Sequence, residues 1–410
     1  MAILWHQKST ISLKQNMNKS KGIDDYLRVN KYILSFVGQW PYQLPRERIF
    51  FRLLCHGICT LIIIPGLIAL YDVRHESTVF VECIPPLFAV FASYCYAVSY
   101  SLNMSRIKYL TESMKRDWET YKSCKSELEI IEKSAQHGKT LILTFMIYSY
   151  VSTTVYVMSP LLPQILDVIL PLNESRERAY VFHVNYVFME NDNHYNFIFI
   201  HAITSAYLTL TNIIAIDFIF LATVQHACGM FQLLGYRLSK VADKNYICNR
   251  NMIEDDKVNK RMVSCIKLYN KILKFTDNIE LSFSTMFFII IGINMLMISF
   301  QGVQIVLNLN NTQILMRFGS FFMGQIIHLY FNTIPGQLLI DESSKVSQYC
   351  YDSNWTNMTT KSQKLLLFML LRASRECKVS AGKVYVISME NYSSVIKTSF
   401  SYLSVLSSAQ

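Results

Sequence analysis

The chain has 410 residues, 51% of them hydrophobic and 17% charged, with a formal net charge of +10. A positive balance of this size is typical of nucleic-acid or membrane-surface proteins, but no Arg-rich helix or aromatic RNA-binding pattern accompanies it. The sequence also contains no metal-ligand cluster, nucleophile motif or phosphate loop. We therefore expect no nucleic-acid partner, no resident metal or cofactor, and no enzyme.

Seven mostly apolar stretches divide the chain. A bilayer core of about 30 Å requires about 20 helical residues, because a helix rises about 1.5 Å per residue. The sequence therefore predicts an all-α membrane protein with seven transmembrane helices. The predicted spans are 50–71, 79–102, 139–160, 196–222, 281–306, 314–338 and 384–408.

Positive charge is concentrated on one side of these spans. The segments 1–52, 103–139, 226–281 and 341–380 hold 33 of the 39 Lys and Arg residues. Basic loops resist translocation, so this side is predicted to be cytoplasmic, with an intracellular N-terminus and an extracellular C-terminus. The charge then indicates attraction to anionic lipids of the inner leaflet. The sequon at Asn173 falls in an extracellular loop and is a predicted glycosylation site.

The loops and spans suggest six segments within one membrane domain. Apolar residues at helical spacing on both flanks of the long fourth loop predict that the fourth and fifth spans extend into the cytoplasm. A further amphipathic helix is expected near 361–376. The predicted segments are a cytoplasmic N-terminal segment at 1–49, spans one to four at 50–225, a cytoplasmic loop with helix extensions at 226–280, spans five and six at 281–340, an anchor helix at 341–380 and the seventh span at 381–410.

The seventh span carries a polar stripe on one helical face. A transmembrane helix with such a stripe does not face lipid all round, so the stripe meets another helix or water. One interpretation is close packing through small residues. The other is an ion pore that an apolar constriction closes, which requires several subunits around one axis. The stripe contains Ser394, Lys397, Thr398, Ser401, Val405 and Ala409.

Motifs near both ends of the chain resemble those of insect odorant receptors. The N-terminal motif combines Asp25-Tyr-Leu-Arg-Val-Asn-Lys-Tyr32 with Gly38-Gln-Trp-Pro-Tyr42. The more specific C-terminal motif contains Ile334-Pro-Gly-Gln-Leu-Leu-Ile-Asp-Glu-Ser343, Ala381-Gly-Lys-Val-Tyr385 and the run from Tyr392 to Leu406. The middle of the chain matches the family only in hydropathy.

The resemblance implies an odorant-gated, non-selective cation channel in the plasma membrane of olfactory sensory neurons. It implies a heterotetramer of a tuning subunit and an olfactory co-receptor, with a pore lined by the last span. The family's gate positions fall on Val405 and Ala409, although Ala409 is small where a bulky aliphatic residue is usual. This departure, together with the length of the fourth loop, suits a tuning subunit rather than the co-receptor.

The resemblance also implies an odorant pocket in the outer half of spans two, three, four and six, with contributions from span five. Small volatile molecules need aromatic walls and few polar anchors. Ordinary packing is the alternative role for each aromatic residue, and a buried hydrogen bond is the alternative for the histidine. The candidate ligand-binding residues are Phe88, Phe91, Tyr148, Ser152, Tyr156, His201, Tyr207, Phe321, Phe322 and Gln325.

Other membrane-protein classes fit less well. A G-protein-coupled receptor would place the basic loops outside the cell, and its acidic-Arg-Tyr and Asn-Pro-x-x-Tyr motifs do not occur here. A gustatory receptor-type cation channel remains an alternative, although Ser401-Tyr402 and Ser408 match its tail pattern only in part. The absence of a detectable internal repeat argues against a secondary transporter.

Overall fold

The structure is a computed structural model that describes residues 22–170, 176, 178–187, 193–242, 254–310 and 312–408. Almost all of this part of the chain is helical, which confirms the predicted all-α class. Seven long helices, named the first to seventh spans in chain order, form one bundle. They are Pro45–Asp72, Ser77–Leu102, Lys125–Met158, Tyr195–Ser239, Glu254–Leu307, Thr312–Asp352 and Met389–Ser408.

The first six spans are long and apolar enough to cross a bilayer, by length and composition. The seventh has 20 residues, which corresponds to about 30 Å of helix. Its serines and Lys397 lower its hydropathy below that of the others. A helix of this length with one polar face fits a position inside an assembly better than a position in lipid.

The fourth and fifth spans are 45 and 54 residues long, so both continue well beyond a bilayer. Shorter helices pack beside these extensions at what we call the inner end, the predicted cytoplasmic side. They are Ile23–Tyr26, Arg28–Phe36, Met104–Tyr121 and Thr360–Ala373. The opposite, outer end carries the short helix Leu162–Ile169 and residues 178–187.

A buried charge cluster joins three helices at the inner end. Asp117, from Met104–Tyr121, contacts the imidazole of His226 at 3.1 Å and the ammonium of Lys271. Burial acts to raise the pKa of Asp117, but the hydrogen bonds and charges of His226 and Lys271 together lower it below its ordinary value. The ionised carboxylate therefore links the fourth and fifth spans to the inner-end helix Met104–Tyr121.

The seventh span begins at Met389, later than the predicted start at 384. Gly382 and Lys383 both have a φ value of +61°, which a continuing right-handed helix does not allow. They turn a small hairpin between the strands Ser380–Ala381 and Tyr385–Val386. The Gly382 N–H donates to the Ser284 carbonyl at 3.0 Å, so the hairpin is tied to the fifth span.

The seventh span lies closely against the fifth. A Cβ atom on Gly302 would meet Cδ1 of Leu403, so a larger residue there would force the leucine side chain to move. The Ser299 hydroxyl donates to the Ser399 carbonyl at 3.0 Å within the same contact. Small residues thus fix the seventh span against the fifth.

Candidate functional site

A cavity of about 130 Å³, which we call the main cavity, lies in the outer half of the bundle. The second to sixth spans all contribute to its wall, and most of the lining side chains are apolar or aromatic. An engineered apolar cavity of about 150 Å³ admits benzene, so this space suits a small organic molecule. Lining residues from the five spans include Ala89, Tyr148, Ser152, Tyr156, Leu210, Asn294, Met297, Phe321, Gln325 and His328.

Residues 178–187 form a cap over the outer end of this cavity. The Arg317 guanidinium donates to the Tyr180 carbonyl at 3.2 Å and forms an ion pair with Glu82. The His183 imidazole also contacts Glu82, at 3.2 Å. These contacts join the second span, the sixth span and the cap, and they place Phe182 in the cavity wall.

Aromatic rings form the upper part of the wall. The Tyr156 ring packs against Phe321 with 5.0 Å between centroids and against Phe182 at 6.4 Å. Its hydroxyl donates to the carbonyl of Val181 in the cap at 3.5 Å. Apolar burial is therefore the main interaction that this part of the cavity offers a ligand.

Polar side chains border the other part of the cavity. His328 stacks on Phe145, and its Nε2 lies 2.8 Å from a carboxylate oxygen of Asp217. Asn294 lines the cavity from the fifth span and is only 3% exposed. Ionisable groups within membrane spans are costly to desolvate. The contact between Asp217 and His328 offsets that cost for both side chains.

Five of the ten candidate ligand-binding residues line this cavity. Tyr148, Ser152 and Tyr156 do so from successive turns of the third span, as their spacing of four requires. Phe321 and Gln325 line it from the sixth span, again four residues apart. These five therefore form the candidate ligand site that the structure brings together.

Three other candidates on the second and sixth spans face different surroundings. Phe88 and Phe91 border a second cavity of about 600 Å³, which the fifth and seventh spans complete. Phe322 lies beside Phe321 in sequence, but its ring packs against Phe400 of the seventh span, with 6.3 Å between ring centroids. Helix rotation explains the difference, because neighbouring residues point about 100° apart.

The two remaining candidates make hydrogen bonds between elements. The Nδ1 of His201 lies 2.6 Å from the Tyr186 hydroxyl in the cap, and its Nε2 lies 3.1 Å from the Ile58 carbonyl. The Tyr207 hydroxyl lies 2.8 Å from that of Thr154 on the third span. Both residues support the walls and the cap without lining the main cavity.

Several cavity residues were not among the sequence candidates. Phe182 belongs to a loop, where no helical periodicity assigns it to a face. Asn294 and His328 are polar residues within apolar spans, and such residues are a recognised indication of function. That signal was present in the sequence for both of them. The position of Phe182 depends on how the cap folds, which the sequence alone does not reveal.

On the seventh span, most residues of the polar stripe are exposed in the single chain. Ser394, Lys397, Ser401 and Val405 are exposed and Thr398 is half-buried, whereas Val395 and Ser399 on the other face are buried. Ser394 and Thr398 border the second cavity, against the second and fifth spans, whereas Lys397, Ser401 and Val405 point away from the chain. Two other predicted site residues, Ala409 and Asn173, lie outside the described residues.

Within the described part of the chain, no group of three or more His, Cys, Asp or Glu residues is placed to hold a metal ion.

Comparisons with known proteins agree with this architecture. The model of the family described as 7tm Odorant receptor matches residues 77–400. Odorant receptor 13a of Drosophila melanogaster is 20% identical over 325 residues, which cover 75% of this chain and 77% of that protein. Odorant receptor 9a of the same species is 22% identical over 206 residues, half of each chain.

A solved structure has the same fold. The insect olfactory receptor OR5 from Machilis hrabei, in complex with eugenol, superimposes with a TM-score of 0.74 at 12% identity. The match covers 94% of this chain and 98% of that one. The matched family is a class of receptors and not of enzymes, so the expectation of no enzymatic activity is confirmed. The family match over most of the sequence shows that this chain belongs to the 7tm odorant receptor family.

Proposed function

We propose that this chain is the tuning subunit of an odorant-gated, non-selective cation channel. It assembles with an olfactory co-receptor as a heterotetramer in the plasma membrane of olfactory sensory neurons. The observation that carries the proposal is the capped cavity of about 130 Å³, whose aromatic walls suit a small volatile molecule. A ligand of about ten heavy atoms gains several kcal/mol there, since ligand efficiencies are about 0.3–1.5 kcal/mol per atom.

The seventh span is proposed to line the pore of the assembly. Its stripe of Ser394, Lys397, Ser401 and Val405 is exposed in the single chain, whereas Val395 and Ser399 on the opposite face are buried. Around a shared axis this stripe would face water, and Val405 would supply an apolar constriction that closes by dewetting. Ala409 is proposed as the second gate position.

The helix Thr360–Ala373 is proposed as part of an anchor between subunits. Leu366 and Met369 pack against the rest of the chain, whereas Leu367, Phe368 and Leu371 are 66–70% exposed. Apolar side chains on an exposed face of a predicted cytoplasmic helix are a feature of contact surfaces.

In the proposed orientation the basic inner end is cytoplasmic, and Asn173 is in an extracellular loop that is open to glycosylation.

Co-expression tests the proposed function. Cells expressing the chain alone, an insect co-receptor alone, or both are exposed to a panel of volatile molecules while cation current is recorded. Volatile-evoked current that requires both subunits supports the proposal. Equal current from the co-receptor alone, or large current from this chain alone, contradicts the tuning role or the obligate partner. Surface labelling in each cell line ensures that both proteins reach the membrane.

A further inference from the structure

The seventh span contains two charged residues, Glu390 in its first turn and Lys397 near its middle. About 12 Å of helix separates Lys397 from the inner end of the span, and about 17 Å separates it from the outer end. A lysine at this depth is costly in lipid, so its ammonium group requires water or a counter-charge. The surroundings of that group therefore decide what this lysine does.

The single chain provides no counter-charge for Lys397. The side chains of Lys397 and Glu390 are both exposed, and neither forms an ion pair with a residue that the structure describes. Seven residues separate the two, which corresponds to about 10 Å along the helix axis. Lys397 points away from the chain together with Ser401 and Val405. In the proposed assembly, the water of the pore is then what solvates its ammonium group.

The hydroxyl groups near Lys397 present oxygen acceptors. The Thr398 hydroxyl donates to the Ser394 carbonyl at 2.9 Å, and the Ser401 hydroxyl donates to the Lys397 carbonyl at 3.0 Å. Each hydroxyl hydrogen is therefore held within the helix, and the oxygen lone pairs remain to accept from water or to contact a cation. Lys397 is the only positively charged residue between Met389 and Ser408. It therefore repels cations on a face that otherwise suits them.

A fixed positive charge in a pore acts more strongly on ions of higher charge. The Coulomb energy is proportional to the charge of the ion, so a potential that disfavours Na⁺ by some factor disfavours Ca²⁺ by the square of that factor. An ion about 6 Å from a unit charge in a water-like medium is disfavoured about threefold for each unit of its own charge. The permeability ratio of Ca²⁺ to Na⁺ then falls about threefold for each such lysine.

We propose that Lys397 is a selectivity residue, which lowers the permeability of the channel to divalent cations relative to monovalent cations. Charged side chains around a pore set its selectivity in this way. Glu390 lies nearer the inner end and offsets part of the repulsion for cations at that mouth. This inference rests on the proposed function, since it takes the seventh span as the pore lining.

Reversal potentials test the proposal in cells that co-express the chain with a co-receptor. The volatile-evoked current is recorded with Ca²⁺ as the only permeant cation outside and Na⁺ as the only one inside. Lys397→Gln should raise the permeability ratio of Ca²⁺ to Na⁺ about threefold. Lys397→Arg keeps the charge and should keep the ratio. Lys125→Gln is the matched control, because Lys125 begins the third span and its side chain is 89% exposed.

Cysteine variants test the same charge within an assembled channel. Lys397→Cys is treated in the open state with a cationic or an anionic methanethiosulfonate reagent, and Ser401→Cys is treated in the same way to mark the pore lining. The cationic reagent should return the ratio of Lys397→Cys to the wild-type value, whereas the anionic reagent should raise it about threefold further. Wild type treated with each reagent controls for the native cysteines.

The outcomes distinguish this inference from the proposed function. If the reagents alter current through Ser401→Cys but Lys397→Gln leaves the ratio unchanged, the selectivity role is overturned and the pore stands. Equal shifts in Lys397→Gln and in either Lys397→Arg or Lys125→Gln would also overturn it, because they do not indicate a local charge. Loss of both Lys397→Gln and Lys397→Cys from the cell surface would overturn it as well, since it indicates a role in assembly.

Two further results would contradict the proposed function itself. If neither reagent affects Lys397→Cys or Ser401→Cys in a conducting channel, the seventh span does not line the pore. If no volatile molecule opens the surface-expressed wild-type complex, the receptor-channel role fails.

Discussion

Adjacent phenylalanines on the sixth span contact different parts of the molecule. Phe321 lines the ligand cavity and packs against Tyr156, whereas Phe322 contacts Phe400 on the seventh span. One short segment of helix thus contacts both the proposed ligand site and the proposed pore helix. If a ligand displaces Phe321, the displacement would need to pass over only one residue to reach the contact with the seventh span.

Alanine at these two positions should have separable effects. Phe321→Ala removes ring contact with the ligand, so the half-maximal concentration should rise about tenfold or more, since burying a Phe side chain contributes about 1.5–3 kcal/mol. Phe322→Ala should lower the maximal current with a smaller change in half-maximal concentration, because it weakens contact with the proposed pore helix and lies outside the lining of the ligand cavity. Concentration–response recordings measure both quantities.

Phe91→Ala is the matched control, because Phe91 is 53% exposed and lies outside the main cavity. It should leave ligand sensitivity unchanged. Identical responses from Phe321→Ala and Phe322→Ala would contradict the division of roles between the two rings. A shift of the same size in Phe91→Ala would contradict the choice of cavity.

Asp117 should contribute stability that depends on pH. Its pKa is lowered in the folded protein by His226 and Lys271, so the stabilisation is fully present above the pKa of the unfolded chain. It is lost as the pH falls through the lower, folded pKa. Asp117→Asn should therefore lower the stability of the purified protein by about 1–3 kcal/mol at neutral pH.

Thermal unfolding of both proteins in detergent measures this effect. The difference between wild type and Asp117→Asn should be constant at neutral pH and shrink below about pH 4, near the ordinary carboxyl pKa. A difference that grows on acidification would have the wrong sign for a depressed pKa. No difference at neutral pH would remove the cluster from the stabilising contacts of the inner end.

At the scale of elements, the seventh span has two faces with different environments. Val395 is 3% exposed and faces the fifth span side of the subunit, whereas Val405 is 64% exposed on the polar stripe. The same substitution at each position therefore tests different roles within one helix. The close approach of Leu403 to Gly302 fixes which face points outward.

Val405→Ala should change ion permeation or basal opening while surface abundance stays the same, because it widens the proposed apolar constriction. Val395→Ala should instead lower surface abundance through lost packing, with a cost of about 1–3 kcal/mol for a buried valine. Single-channel recording and surface labelling separate these effects. Unaltered permeation in Val405→Ala would exclude Val405 from the pore.

For the whole molecule, hydropathy and charge predicted the number and type of the long helices. They did so because a bilayer imposes a length and an apolar composition on each span. Helix ends were less predictable: the third span begins at Lys125 rather than 139, since its polar first turns project beyond the apolar core. The late start of the seventh span depends on the left-handed conformation of Gly382 and Lys383.

The cavity was predictable only where helical spacing determines it. Tyr148, Ser152 and Tyr156 share a face of one helix, and all three line the cavity. The positions of Phe88 and Phe322 could not be predicted in this way. The rotation of a helix about its own axis depends on packing against its neighbours, and the sequence pattern of one helix does not contain that information. Phe182 reaches the cavity through the Arg317 and Glu82 contacts of the cap, which bring together residues distant in sequence.

We expect a volatile molecule to open the channel from within the cavity of about 130 Å³. Gly324 lines that cavity, and a Cβ at this position would lie 3.2 Å from the Ser152 hydroxyl oxygen. Because Gly324 is part of the cavity wall, a leucine at 324 is expected to reduce the space left for a ligand. Gly319 lies on the same helix, and a Cβ there would meet no atom within 4 Å.

The most direct measurement is volatile-evoked current from Gly324→Leu and Gly319→Leu, each co-expressed with a co-receptor at matched surface levels. We expect Gly324→Leu to lose the evoked current but keep its basal current, and Gly319→Leu to respond like wild type. An undiminished response from Gly324→Leu would contradict the claim, because the ligand would then act from somewhere other than this cavity.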